Sequence, residues 1–364
     1  MPSSRVSQRD VARRANVHFT TVSLALRDSP NLPETTRLRI QALAREMGYR
    51  PDPMLSALQS YRKNMRSPGF QGVIAWINCH TTPANLYRGK YTVLYLSAAR
   101  RRCEELGYQL EEFNLANTTT QQLSKIFRAR NIQGLLLPPQ PDTDFHFNFD
   151  WENYSAITFG YTLREPRLHL VTNAQYSSAR MAVHIVRERY DRIGFVSTEI
   201  TDERTDRNFS AGYLAEQRQV KQGDQIPMLI LKDEDASRQE VLFWRWYKKY
   251  RPSAILAHYE AIGRFLETAG ISYSECGLAL LFLTSCDQSK YAGIYQNDLI
   301  IGSTAVDFVV GMIQRNERGI PGTPLRILVE GKWVEGDTLP FRRPEALPGH
   351  RNALSLSSEV ARSV

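Results

Sequence analysis

The sequence predicts an α/β protein: a head of three short helices, then a core of doubly wound parallel sheets in two lobes. Three observations predict this. The first 50 residues hold three runs with apolar side chains at helical spacing. From residue 71 onward, short apolar runs alternate with amphipathic segments. The chain has 364 residues, more than one hydrophobic core organises, so two or three domains are expected.

The head reads in order. Ser7 caps a helix over residues 8–14, with Asp10 as the returning acid and Val11, Ala12 and Ala15 as the apolar face. Asn16 tolerates the left-handed conformation that a tight turn needs. A second helix spans about 20–26 and buries Val22, Ala25 and Leu26. After a loop over 27–32, Pro33 suits the first turn of a third helix. That helix carries Ile40, Leu43, Ala44 and Met47 at i, i+3, i+4, i+7, and Gly48 ends it. Three short helices with a tight turn between the first two make a helix-turn-helix.

The Arg-Pro-Asp-Pro run at 50–53 cannot continue the third helix. Residues 54–61 read as a short helix and 63–69 as a linker. Strands are expected at 72–78, 108–113, 134–137, 155–159, 169–171, 192–196, 227–231, 254–257 and 277–283. Helices are expected at 93–106, 120–130, 177–189, 207–219 and 237–249. Such alternation implies parallel sheets covered on both faces, with ligands at the carboxyl ends of the strands. The expected domains are therefore a head at 1–50, a hinge and linker at 51–70, a two-lobed core at 71–340 and a mobile tail at 341–364.

Charge is concentrated in the head. Residues 1–66 carry twelve basic and five acidic side chains, whereas the other 298 carry 34 and 33. A basic head on a nearly neutral body is the footprint of a polyanion binder. No apolar stretch approaches the ~20 residues of a membrane span, and no secretory h-region precedes the head. A cytoplasmic protein with no membrane partner is expected. Cys79, Cys103, Cys276 and Cys286 lie far apart without a CxxC pair and read as buried thiols. The seven histidines form no metal-binding set. Neither a GxSxG elbow, a phosphate-binding GxxxxGK[ST] loop, HExxH nor a GxGxxG after a strand is present, so no catalytic residue, metal or cofactor is expected.

The run DVARRANVHFTTVSLAL, from Asp10 to Leu26, followed by ETTRLRIQALAREMGYRPDP, closely resembles the signature of LacI/GalR transcription regulators. VTNAQYSSARMAV, DRIGFV, SAGY, PSAILAHYEAIG and LVEGKW resemble the ligand-binding core of that family, which is similar to periplasmic sugar-binding proteins. The resemblance spans nearly the whole chain, strong in the head and weaker toward the pocket. It implies a homodimer that binds a palindromic operator in double-stranded DNA and senses a small molecule in an interlobe cleft, most often as a repressor.

Carried over residue by residue, the resemblance makes Phe19, Thr20 and Leu24 the base-reading positions of the second helix. Leu24 replaces the usual Arg, so a bidentate guanine contact is absent and apolar contacts gain weight. Thr21, Ser23 and Thr36 match hydroxyls that bond phosphates, and Tyr49 matches a backbone-contacting tyrosine. Arg27 adds a phosphate contact. His18 takes the position of the usual Ser cap, a weaker cap whose imidazole also reaches phosphate. Leu58 matches the leucine that wedges into a minor-groove step from the hinge helix.

The effector positions depart from the family. Phe209 stands where sugar-binding members place Arg, with Arg207 nearby. His258 and Tyr259 replace Asn-Asp, Thr284 and Ser285 stand around a missing Asp, and Asn173 replaces another. Gln296 keeps a family glutamine. Loss of these carboxylates and amides argues against a simple pentose or hexose. Tyr161, Phe209 and Tyr259 would line the cleft with aromatic rings and suit a larger, flatter or glycosidic ligand. Two other readings stand beside this one: a solute-binding, receptor-like sensor whose effector is not a simple sugar, and a core that binds no ligand.

Overall fold

The computed structural model describes residues 6–26, 32–49, 69–78, 90–115, 118–140, 145–146, 148–232, 235–284 and 290–340. Arg27, the hinge helix with Leu58, Ser285, Cys79, Cys286 and the tail at 341–364 lie outside the described residues.

The head consists of α1 (Gln8–Ala15), α2 (Phe19–Leu26) and α3 (Glu34–Glu46). Ser7 and Asp10 form the expected reciprocal capping box, and Asn16 is left-handed with φ 51°. Val11, Ala12, Ala15, Val22, Ala25, Ile40 and Ala44 make its core. Leu26 and Leu43 are only half-buried against it. Pro33 sits one residue before α3, at the cap and not inside the first turn.

The chain divides into two compact units. The first comprises residues 1–175, 202–208 and 296–332. Beyond the head it contains β1 (Gly72–Asn78), α4 (Lys90–Glu105), β2 (Tyr108–Asn114), α5 (Thr120–Ala129), β3 (Gly134–Leu137), β4 (Phe145–His146) and β5 (Ser155–Phe159). Then come β6 (Leu163–Glu165) and β7 (His169–Asn173), and later α11 (Asp298–Arg315) and β13 (Arg326–Val329). Its main sheet runs β13-β7-β5-β3-β1-β2, with every neighbouring pair parallel. Period-two alternation sends Ile74, Trp76, Leu136, Ile157, Phe159 and Val171 to one face, against α4 and α11. Val73, Ala75, Ile77, Leu135, Leu137 and Ala156 pack with Leu123 and Phe127 of α5 on the other.

The second unit comprises residues 176–201, 209–295 and 333–364. It holds most of α6 (Gln175–Arg187), then β8 (Ile193–Thr198), α8 (Asn208–Gln217), β9 (Leu229–Leu231), α9 (Ala236–Tyr250), β10 (Ala254–Ala257), α10 (Ala261–Thr268), β11 (Gly277–Leu283), β12 (Ala292–Tyr295) and β14 (Lys332–Val334). The short helix α7 (Glu199–Arg204) begins in this unit and ends in the first. The sheet order is β14-β12-β11-β10-β8-β9, parallel from β9 to β12. Both faces are again buried.

Among the described residues the expected strands and helices are present, with ends shifted by up to three residues; the helix expected at 54–61 lies outside them. The chief omission is α11, 18 residues long and the longest helix among those described. Its apolar side chains, including Ile301, Val306, Val309, Val310 and Met312, wrap so broad a face that helical periodicity is blurred. The short strands β4, β6, β12, β13 and β14 and the helices α7 and α10 were likewise not among the expected elements. Cys103 and Cys276 are buried, and burial pushes the Cys103 thiol up to about 12, as an inert core thiol requires.

Candidate functional site

The three-helix head fixes which face of α2 is available. Val22 and Ala25 are fully buried against α1 and α3, so positions 19, 20, 23 and 24 fall on the other side. Phe19 leaves 44% of its surface to solvent, which sets it apart from the core side chains. Thr20 is exposed; Thr21, Ser23 and Leu24 are half-buried. A protruding apolar ring beside a hydroxyl, at the first turn of an outward helix, is suited to a thymine methyl and a base edge.

His18 caps this helix more fully than its residue type suggests. Its carbonyl accepts from the amides of Thr21 at 2.9 Å and Val22 at 3.3 Å, the first bonds of the helix. Its Nδ1 accepts from the Thr20 amide at 3.4 Å and lies 2.9 Å from the Thr20 Oγ1. Around it, Thr36 is half-buried on α3, and the Tyr49 hydroxyl accepts from Gln8 Nε2 at 2.9 Å, tying the end of the head to α1. Arg39 donates to the Ala15 carbonyl at 3.5 Å, leaving its charge near the end of α1.

In the first unit, Tyr161 follows β5, with Arg326 stacked 5.5 Å over its ring. Burial raises its phenol pKa, opposed by Arg326 and by a hydrogen bond with Asn208. Asn173 ends β7 inside an amide network. Its Nδ2 donates to Gln296 Oε1 at 2.6 Å, and its Oδ1 accepts from Thr172 and from Gln175 Nε2, both at 3.1 Å. Asn173 and Gln296 are thus brought together. Arg207 is exposed, in a left-handed conformation with φ 56°, and 3.9 Å from both Asp202 and Glu203.

Sequence reasoning missed four buried polar groups of the same unit. Asn78 Oδ1, Gln140 Oε1, Gln175 Oε1 and Asp202 Oδ1 are buried acceptors with no hydrogen-bond partner. Gln140 also receives Arg204 Nη1 on its carbonyl at 2.7 Å. Asn78 ends β1 and Gln140 lies three residues past β3, so their places at carboxyl ends of parallel strands were the available signal.

In the second unit, Phe209 is fully buried, edge-on to His258 with ring centroids 4.6 Å apart. It belongs to the core and presents no open face. Phe195 meets the same imidazole at 5.8 Å. Both His258 ring nitrogens and the Tyr259 hydroxyl are buried without partners, and burial pulls His258 down to about 3 and pushes Tyr259 up to about 12. Thr284 is half-buried just past β11. Among the described residues, no three His, Cys, Asp or Glu side chains converge as a metal site, and no helix is long and apolar enough to cross a membrane.

Comparison with known proteins bears on the head segment and on the fold. Residues 8–52 match the model of bacterial regulatory proteins of the lacI family. The HTH-type transcriptional regulator PtxS of Pseudomonas plecoglossicida is 28% identical over 137 residues, 37% of this chain and 36% of its own length. The match therefore spans about a third of that relative. Among solved structures, a lac repressor dimer bound to operator and the anti-inducer ONPF is 16% identical, with a TM-score of 0.52. It is covered over 93% of this chain and 100% of its own. A complex of the transcriptional regulator CelR with cellobiose gives 14%, 0.53, 92% and 100% for the same quantities. A regulator from Silicibacter pomeroyi gives 18%, 0.50, 93% and 100%. At these identities the structures share the fold.

Proposed function

We propose that this chain, whose residues 8–52 match the model of bacterial regulatory proteins of the lacI family, is a sequence-specific transcription regulator, a repressor, acting on a palindromic operator as a homodimer. The single observation that carries the reading is the outward face of α2, where exposed Phe19 and Thr20 stand on a basic three-helix head. One helix of this length reads few base pairs, so two heads related by two-fold symmetry supply the needed specificity. The lac repressor dimer bound to operator, with the same fold, supports the dimer.

Within this reading, residues 1–50 bind DNA, 51–70 form the hinge with Leu58 as its minor-groove wedge, and 71–340 dimerise and sense. Phe19, Thr20 and Leu24 read bases; His18, Thr21, Ser23, Arg27, Thr36 and Tyr49 hold phosphates. The core binds a small effector of carbohydrate or glycoside type, and its occupancy shifts operator affinity. The CelR–cellobiose complex supports a glycosidic ligand, as do aromatic Tyr161 and Tyr259 and the displaced carboxylates. No residue is assigned a catalytic step. The protein works in the cytoplasm, on chromosomal DNA.

Selection of bound duplexes from a random-sequence pool tests this directly. An inverted repeat is expected, with affinity falling steeply between low and physiological salt as counterions are released from phosphate. Equal binding to all duplexes would remove the regulator reading. A thermal-shift screen of sugars and glycosides tests the effector separately.

A further inference from the structure

The contact between His18 and Thr20 carries a consequence for which bases are read. The Thr20 amide points its proton at His18 Nδ1 over 3.4 Å. In the tautomer that carries the imidazole proton on Nε2, Nδ1 presents its lone pair to that amide. The Thr20 Oγ1 lies 2.9 Å from that same Nδ1, a distance that requires a proton between the two atoms. In that tautomer Nδ1 has none, so it comes from the hydroxyl.

A threonine hydroxyl has one proton and two lone pairs. Free, it rotates and meets donors and acceptors equally. In that tautomer its proton is committed to His18, and only lone pairs face outward. Both side chains are exposed, so the oxygen remains open to a ligand.

We propose that His18, by accepting the Thr20 hydroxyl proton, makes Thr20 a hydrogen-bond acceptor toward the base it faces. The contacted strand then carries adenine or cytosine at that position. In the major groove those bases offer an exocyclic amine, N6 of adenine or N4 of cytosine, whereas guanine and thymine present O6, N7 or O4 acceptors. His18 is a positioning residue: it touches Thr20, and Thr20 touches the base. This rests on the proposed reading of DNA by α2.

The test uses the full-length protein and a duplex selected by it from a random pool. The base pair read by Thr20 is the one whose preference disappears in Thr20→Val. Affinities are then measured for the four single-base variants at that pair. Wild type is expected to favour adenine or cytosine over guanine or thymine on one strand by about tenfold. His18→Asn, whose amide oxygen caps the helix and accepts the same proton, keeps that preference. His18→Ala relaxes it.

A wild-type preference for guanine or thymine at that pair overturns the proposal, and decides the matter even if His18→Ala fails to fold. Uniform loss of affinity in His18→Ala, with the preference intact, also overturns it and leaves His18 a cap or phosphate contact. Absence of any Thr20-dependent pair in a selected duplex overturns it while leaving the regulator reading standing. Failure to select any duplex removes that reading and the proposal with it.

Discussion

At the scale of single residues, burial decides which side chains are free to act. Thr20 is exposed, and its side chain contacts His18, just before α2, and so Thr20→Ala is expected to leave the head folded. It is expected to cost about 1–3 kcal/mol of discrimination at one base pair per half-site, read by competition between operator variants. Two buried titratable groups act on stability in opposite senses. His258 is pulled from 6.5 to about 3 by burial, so the unfolded chain takes up a proton that the native second unit refuses. Stability of that unit is full above pH 6.5 and falls as pH drops toward 3. The loss by pH 5 is about 2 kcal/mol at most. Asp298, first residue of α11, is raised from 3.8 to about 7: burial outweighs its hydrogen bond with Tyr95. The native first unit holds the proton longer, so its stability is full below pH 3.8 and declines as pH rises to 7. Thermal melts should therefore lose their acid slope in His258→Phe, and gain stability above pH 7 in Asp298→Asn. Unchanged slopes would show that neither burial persists in solution.

At the scale of elements, both units use a glycine to bring two helices into backbone contact. In the second unit, a Cβ on Gly212 of α8 would stand 2.6 Å from the Tyr176 carbonyl oxygen and 2.9 Å from the Ala179 Cβ of α6. In the first, a Cβ on Gly302 of α11 would strike the Tyr95 carbonyl oxygen and come 2.9 Å from the Ala98 Cβ of α4. Gly302→Ala and Gly212→Ala are each expected to destabilise by about 1–3 kcal/mol through overpacking, measurable by urea unfolding. The same pair of helices shows where sequence reading works and fails. The SAGY run containing Gly212 resembled a family motif and fell within an expected helix. Gly302 sits in α11, where Ile300, Ile301, Ala305, Val306, Val309 and Val310 leave no clear polar stripe, and nothing marked the helix. Strands such as Gly277–Leu283 were legible because a continuous apolar run bounded by polar residues suits a doubly covered sheet.

At the scale of the molecule, the head was the most legible part. Its caps, turn and core positions are local in sequence, so Ser7, Asn16 and Ile40 each announced their roles. The effector positions were less so: Asn173 and Gln296 are 123 residues apart, and only folding joins them. Phe209 read as a pocket ring, yet its edge contact with His258 belongs to the core, a partnership that no local pattern encodes.

The same locality shapes how the chain leaves the ribosome. Among the described residues the head core draws on those between Val6 and Tyr49, whereas the sheet of the first unit must wait for β13, Arg326–Val329, and its covering helix α11. A nascent chain thus exposes a finished trihelical head through most of its synthesis, while the sensing part stays incomplete. A version stopped at residue 290 should keep a protease-resistant head and surrender everything after it to digestion. Equal resistance of both parts would mean that the sheet closes without its last strand.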